Sequence, residues 1–158
     1  MSTNHQIEAP DLIVYDAANN AFMLVEVKAS QKIDHAAQEE MLQDIRRGRD
    51  LRSVEFLGLV DPDSTRILRL HNGEVKNTLL TLSTPELLAH YDPEYGRRQI
   101  YGHYMEVLVE AWLRDLAFRW KHQAPPGLAA LEQAGVAQRL RDGFTESSTS
   151  ARSSFSEA

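Results

Sequence analysis

Residues 10–30 read PDLIVYDAANNAFMLVEVKAS, two apolar segments that carry carboxylates and a lysine near their ends. The segments, 11–16 and 21–29, are rich in β-branched and aromatic residues, a composition typical of strands. The polar sequence AANN between them favours a turn through its asparagines. Because this connection is short, the pattern predicts that the two strands pair as a hairpin. Charged side chains on strands that otherwise resemble buried core need a physical explanation.

The length of the turn determines which residues face each other across the predicted hairpin. If residues 17–20 form the loop, Asp11 lies directly across from Glu26. Side chains alternate between the two faces of a strand, so Lys28 emerges on the same face as Glu26. Opposed Cβ atoms lie about 4.5–5.5 Å apart, and two carboxylates at that distance repel each other unless something compensates. A loop shorter or longer by one residue would move Glu26 to the opposite face.

A divalent cation would compensate the two carboxylates. Magnesium binds carboxylate oxygens at about 2.0–2.1 Å and keeps several waters that a substrate phosphate can replace. A neighbouring lysine can orient or deprotonate such a water, or stabilise the charge that develops on phosphorus. Asp11, Glu26 and Lys28 therefore provide the parts for metal-assisted hydrolysis of a phosphodiester. The alternative interpretation is a solvated hairpin face that carries a cross-strand Glu–Lys pair.

The succession of these motifs resembles the PD-(D/E)XK nuclease superfamily. The sequence has Pro10–Asp11 on one strand, Glu26–Lys28 on the next, and then a helix that contains Gln38 and Gln43. The resemblance covers residues 8–60. It implies an α/β fold of the restriction-endonuclease-like kind, in which a mixed β-sheet is flanked by helices.

The resemblance also implies a role for each matching residue. The metal ligands would be Asp11, Glu26 and the main-chain carbonyl of Val27, and the metal would be Mg²⁺ or Mn²⁺. Lys28 would be the catalytic residue that serves the attacking water. Many members of the superfamily add a polar residue, often glutamine, on the helix after the motif. Gln38 is the nearer candidate for that role, ahead of the second glutamine of the helix.

The chain departs from the superfamily pattern before the first motif. The superfamily core opens with a helix that often bears another acidic residue, whereas only residues 1–9 precede Pro10. Three explanations remain open. The helix is missing, Glu8 substitutes for its acid, or the late helix supplies one through Glu106 and Glu110.

The remainder of the chain alternates strand and helix patterns. The order β-β-α-β-β-β-α-α predicts an α/β or α+β domain with a mixed sheet, followed by extra C-terminal helices. The individual predictions are a helix over 34–52 with Asp34 as N-cap, a strand over 54–61, a hairpin turning at His71-Asn72-Gly73, a helix over 84–91 with Thr84 as N-cap, a long helix over 97–122 and a last short helix over 128–143.

These elements divide the chain into four parts. Residues 1–9 are predicted to be a loose N-terminus, and residues 10–92 the nuclease-like α/β core. Residues 97–143 form a C-terminal helical extension. The Ser-rich tail, 144–158, has too little apolar surface to offset the entropy of ordering it, so we expect it to be disordered.

Composition narrows the class of protein further. The 158-residue chain contains no cysteine, which excludes disulfides, thiolate zinc sites and cysteine nucleophiles. It has no apolar run of the roughly 20 residues that a membrane helix needs and no signal-peptide pattern at its start. We therefore expect a cytoplasmic protein with no membrane partner.

The net charge of −6 counts against tight unassisted binding to nucleic acid. Metal-binding carboxylates are themselves acidic, so a nuclease remains compatible with it. We expect nucleic acid as the partner, DNA ahead of RNA. The four arginines of 45–52 would contact phosphates or favour the helix dipole. The second hypothesis is a catalytically inactive binding or assembly module, which would form a homodimer or bind a partner protein through residues 97–122.

Overall fold

The computed structural model describes residues 10–95 and 102–147. Six strands and five helices lie within these ranges. The strands are β1 (Leu12–Tyr15), β2 (Ala21–Val27), β3 (Phe56–Val60), β4 (Ser64–His71), β5 (Glu74–Ser83) and β6 (Phe144–Ser147). The helices are α1 (His35–Gly48), α2 (Thr84–Ala89), α3 (Gly102–Phe118), α4 (Leu128–Gln133) and α5 (Val136–Leu140).

The strands form one mixed sheet in the order β5-β4-β3-β2-β1-β6. Strands β2 and β3 run parallel because α1 carries the chain back over the sheet between them, and every other neighbouring pair is antiparallel. The expected mixed sheet with flanking helices is therefore confirmed at the level of an α/β architecture.

The predicted register of the first hairpin is confirmed. Leu12 pairs with Val25 and Val14 with Met23, which is the alignment that a loop over residues 17–20 requires. The register shifts only after Val14, at the turn end of the hairpin. The end that carries the candidate site is therefore aligned as the sequence predicts.

Apolar side chains on the two faces of the sheet form two separate cores. One core lies under α1, and the other lies between the sheet and helices α2 to α5. The first contains Ile13, Leu24, Leu42, Ile45, Leu57, Leu59, Leu68 and Leu70. The second contains Leu12, Val14, Val25, Val27, Phe56, Leu88, Trp112, Leu113, Leu116 and Leu131.

Two local predictions are confirmed. The Asp34 side chain accepts a hydrogen bond of 2.8 Å from the main-chain N–H of Ala37, so it caps α1 as expected. The turn between β4 and β5 has positive φ at both Asn72 and Gly73, the conformation of a two-residue hairpin turn.

The predictions for the helical C-terminal part need correction. Helix α2 is capped by the Ser83 hydroxyl, which leaves Thr84 as its first helical residue. The long helix ends at Phe118 because Arg119 adopts a left-handed φ of 53°. The last helix is divided into α4 and α5 because Gly135, at φ 83°, interrupts it.

The tail prediction was wrong for its first residues. Phe144–Ser147 is strand β6, paired antiparallel with β1, and the ring of Phe144 stacks on Tyr15 with centroids 4.7 Å apart. These residues satisfy hydrogen-bonding groups that would otherwise line an open edge of β1. The loose N-terminus predicted for 1–9 with Glu8, the start of the predicted helix 97–122 and the tail beyond Ser147 lie outside the described residues.

Candidate metal and catalytic site

Asp11 lies immediately before β1, and its side chain reaches the neighbouring strand. Its carboxylate oxygen Oδ2 accepts a hydrogen bond of 2.7 Å from the main-chain N–H of Val27. Val27 is the middle residue of the Glu-Val-Lys motif. The aspartate of the first motif is therefore in direct contact with the second motif, across the hairpin.

The same contact fixes the direction of the Val27 carbonyl. In a strand, the N–H and C=O of one residue point toward the same neighbouring strand. The Val27 N–H points toward Asp11, so the Val27 carbonyl also points toward the β1 side. The next residue points the other way, because the Lys28 N–H donates to the carbonyl of Val60 on β3 at 2.8 Å.

Glu26 and Lys28 lie on the face of β2 that α1 covers. Val25 and Val27 belong to the core on the opposite face, and residues alternate along a strand. Glu26 is 8% exposed, and a carboxylate at that depth needs hydrogen bonds or a cation to compensate its charge. Lys28 is half-buried, and within residues 10–95 and 102–147 its ammonium makes no hydrogen bond or ion pair.

Of the two candidate glutamines, only Gln38 is directed into the protein. Gln38 is buried on the inner face of α1, whereas Gln43 is exposed. The side-chain oxygen of Gln38 accepts a hydrogen bond of 3.1 Å from Arg66 of β4. Because Arg66 lies across β3 from Glu26, this contact holds Gln38 on the same face as Glu26 and Lys28.

A further carboxyl group, that of Glu106 on α3, lies close enough to Asp11 for their charges to interact. Burial raises the pKa of Glu106, and the negative charges of Asp11 and then Glu110 add to that effect, while His103 opposes it. The Glu106 oxygen Oε1 is buried and has no hydrogen-bond partner among the described residues. Glu110, one turn further on, faces Arg114 at 3.5 Å. Of these two glutamates, Glu106 lies nearer the candidate site.

The donor set suits a hard divalent cation in its chemistry. Carboxylate and carbonyl oxygens are the ligands that Mg²⁺ takes, and it needs only one or two carboxylates because it retains waters. In the described ranges, no three His, Asp or Glu side chains converge as a metal-binding group. The predicted ligands, Asp11, Glu26 and the Val27 carbonyl, include only two carboxylates.

Three of the four arginines of 45–52 make hydrogen bonds or ion pairs within the protein. Arg46 donates two hydrogen bonds to the carbonyl of Gly73, at 2.8 and 2.6 Å, and so fastens α1 to the β4–β5 turn. Arg47 pairs with Asp44, and Arg52 with Asp50. The Arg46 contact gives this segment a structural role, and the two exposed ion pairs lie at the helix end and just beyond it.

Two polar residues near the site, Asp61 and Arg66, could not be identified from the sequence. Asp61, at the end of β3, is 3% exposed and accepts hydrogen bonds from the main-chain N–H groups of Ile33, Asp63 and Ser64. Burial by itself raises the pKa of Asp61, but the three N–H groups and the charge of Arg66 outweigh it and hold the pKa below its usual value. Neither residue belongs to a motif, so only the folded chain reveals them.

Comparison of the chain with models of protein families, with curated proteins and with solved structures gave no match. Among the described helices, none is both long and apolar enough to cross a membrane.

Proposed function

We propose that this protein hydrolyses phosphodiester bonds of nucleic acid at a site formed by Asp11, Glu26 and Lys28. The observation that carries the proposal is the hydrogen bond between the Asp11 carboxylate and the main-chain N–H of Val27. It joins the two halves of the motif that resembles the PD-(D/E)XK superfamily. The hairpin register supports the proposal, because the pairing of Leu12 with Val25 brings Asp11 across from Glu26.

In this proposal, Asp11, Glu26 and the Val27 carbonyl would hold Mg²⁺ or Mn²⁺. When bound, such an ion polarises a phosphoryl oxygen and lowers the pKa of a coordinated water. The Val27 N–H orients the Asp11 carboxylate.

Lys28 supplies the proton chemistry in this proposal. Lys28 is half-buried, and its ammonium makes no hydrogen bond or ion pair within the described part of the chain. A phosphate oxygen or a water can therefore approach it. It would orient the attacking water or stabilise the charge that develops on the phosphate. Gln38 would assist from α1 as a hydrogen-bonding residue. A restriction-endonuclease-like fold would be the corresponding scaffold.

A second function is supported by a different observation. Val107, Phe118 and Trp120 are 45%, 55% and 54% exposed, all within the 97–122 segment. Exposed large apolar side chains are typical of surfaces that bind other proteins when they form a contiguous patch. Under this hypothesis the chain is an inactive binding or assembly module, which associates with a second copy or a partner protein through that segment.

A metal-dependent cleavage assay separates the two functions. Purified protein is incubated with single- and double-stranded DNA and RNA in the presence of Mg²⁺ or Mn²⁺. We expect cleavage, with DNA as the preferred substrate, and a loss of about 100-fold or more in Lys28→Ala and in Asp11→Asn. Lys32→Ala is the matched control, because Lys32 is an exposed lysine paired with Asp63 just beyond the motif.

The outcomes are distinct. Cleavage that needs the metal, disappears in Lys28→Ala and Asp11→Asn and persists in Lys32→Ala supports the nuclease. No cleavage by the wild type, together with no heat of Mn²⁺ binding in calorimetry, contradicts it. In that case, a concentration-dependent mass in light scattering that Trp120→Ala lowers would support the binding module.

A further inference from the structure

Ile33, in the loop between β2 and α1, is held at both of its main-chain polar groups. Its N–H donates to Asp61 at 2.9 Å, and its carbonyl accepts from the guanidinium Nη2 of Arg66 at 3.0 Å. The Ile33 side chain is 5% exposed, so neither group can easily exchange its partner for water. The loop that follows Lys28 is therefore fixed at one point from two directions.

The same guanidinium also holds Gln38. Its Nη1 donates to the Gln38 oxygen Oε1 at 3.1 Å. Arginine offers only donors, so the amide must turn its oxygen toward Arg66 and its two N–H donors elsewhere. Within residues 10–95 and 102–147 no acceptor takes those two N–H groups. Arg66 thus decides that Gln38 presents donors rather than an acceptor.

The position of Arg66 relates this contact to the candidate site. Glu26 of β2 pairs with Leu59 of β3, and Leu59 pairs with Arg66 of β4. The three residues form a row across the sheet on the face that α1 covers, and two strand spacings separate Glu26 from Arg66 by roughly 10 Å. The guanidinium of Arg66 donates to two neutral oxygens, those of Ile33 and Gln38. Among the described residues it forms no ion pair.

We propose that Arg66 is a positioning residue, which fixes the β2–α1 loop and turns the amide donors of Gln38 toward an anionic group of the substrate, a phosphate oxygen. The orientation of Gln38 toward a phosphate rests on the proposed nuclease function. The restraint of the loop by Arg66 does not, and it can be tested whether or not the protein cleaves nucleic acid.

Hydrogen exchange tests the loop without reference to activity. In Arg66→Ala, we expect the buried Ile33 amide, which donates to Asp61, to exchange at least about tenfold faster than in the wild type, because the loop opens locally. Arg69→Ala is the matched control. Arg69 is also half-buried on β4 and bonds a neutral carbonyl, that of Ala134 at 3.0 Å, but it stacks on Phe56 of the opposite core. Unchanged exchange in Arg66→Ala, or equal changes in both variants, would overturn the proposal.

Kinetics of cleavage test the orientation of Gln38. Arg66→Ala should lower kcat about 10- to 100-fold with KM nearly unchanged, as loss of a supporting contact does. Gln38→Glu keeps an acceptor for Arg66 but has no N–H donor, so it should lose as much activity as Gln38→Ala. In the Gln38→Ala background, Arg66→Ala should cost little more, because Arg66 acts through Gln38.

These experiments keep the two proposals apart. Fully additive losses in the double variant, or full activity in Gln38→Glu, would refute the action of Arg66 through Gln38. If the wild type cleaves nothing, the proposed function fails, and the exchange result alone decides whether Arg66 holds the loop.

Discussion

Asp61 should be one of the most sensitive polar positions for stability. Its side chain is 3% exposed and accepts three main-chain hydrogen bonds, of which the one from Ile33 is buried. In Asp61→Asn, the shape is conserved, but an N–H₂ group must face one of the N–H donors. We expect the variant to fold and to be less stable than the wild type.

The magnitude follows from the surroundings of each donor. A hydrogen bond to a charged acceptor contributes about 1.5–3 kcal/mol, and a buried donor left unpaired costs a similar amount. The Ile33 N–H falls in this class. The N–H groups of Asp63 and Ser64 lie near solvent and can bond water, so they add about 1 kcal/mol together. The loss should be about 3 kcal/mol, which lowers Tm by about 6–12 °C for a chain of this size.

Urea unfolding followed by tryptophan fluorescence measures this loss, because Trp112 is buried in the core. The pKa of Asp61 is lowered below 3.8 in the folded state. Its contribution is therefore complete above that pH and is lost as the pH falls through the folded pKa. The difference between wild type and variant should be constant near neutral pH and shrink in acid.

Asp63→Asn is the control, since Asp63 lies in the same turn but its side chain is 61% exposed. It should leave the free energy of unfolding unchanged within error. A loss below about 0.5 kcal/mol in Asp61→Asn, or equal losses in the two variants, would refute the reasoning.

Two further pairs of substitutions test other parts of the fold by the same unfolding assay. Gly127 (φ 75°) and Gly135 (φ 83°) both have left-handed backbones, but a Cβ on Gly127 would lie 2.9 Å from Leu80 whereas Gly135 has open space. Gly135→Ala should cost about 1 kcal/mol from backbone strain and Gly127→Ala about 2 kcal/mol; equal losses would show that packing around Gly127 is irrelevant. Thr65 and Thr84 are fully buried and bond each other at 2.9 Å. Either single change to Val should cost about 1–3 kcal/mol, and the double change less than the sum, because it leaves no hydroxyl unpaired; additive losses would contradict this.

The first hairpin and α1 could be predicted because their signals are local. Alternating apolar residues, a short polar turn and the cap at Asp34 each depend on a few neighbouring positions. The contact between Asp11 and Val27 follows from the register of that hairpin. The roles of Gln38 and Glu106 were only suggested by a motif and by helix position, and their neighbours Arg66 and Asp11 come from other elements.

The failures have equally physical causes. Strand β6 has four residues with no clear alternation, and it forms because β1 offers a free edge and Tyr15 a stacking partner. Arg119 ends α3 in a conformation that arginine rarely adopts, so composition could not mark that end. Arg66 gains its role from the distance between β4, Ile33 and Gln38, which only the folded sheet determines.

The return of the chain to β1 has a consequence for synthesis and truncation. The strands that carry the candidate site are made first, but among the described residues it is 144–147, far along the chain, that cover the outer edge of β1. Until those residues are made, the hairpin presents unpaired N–H and C=O groups to neighbouring chains, a state prone to intermolecular pairing. A fragment that stops before Phe144 should therefore aggregate more readily than the longer chain, even though every candidate ligand is present in it.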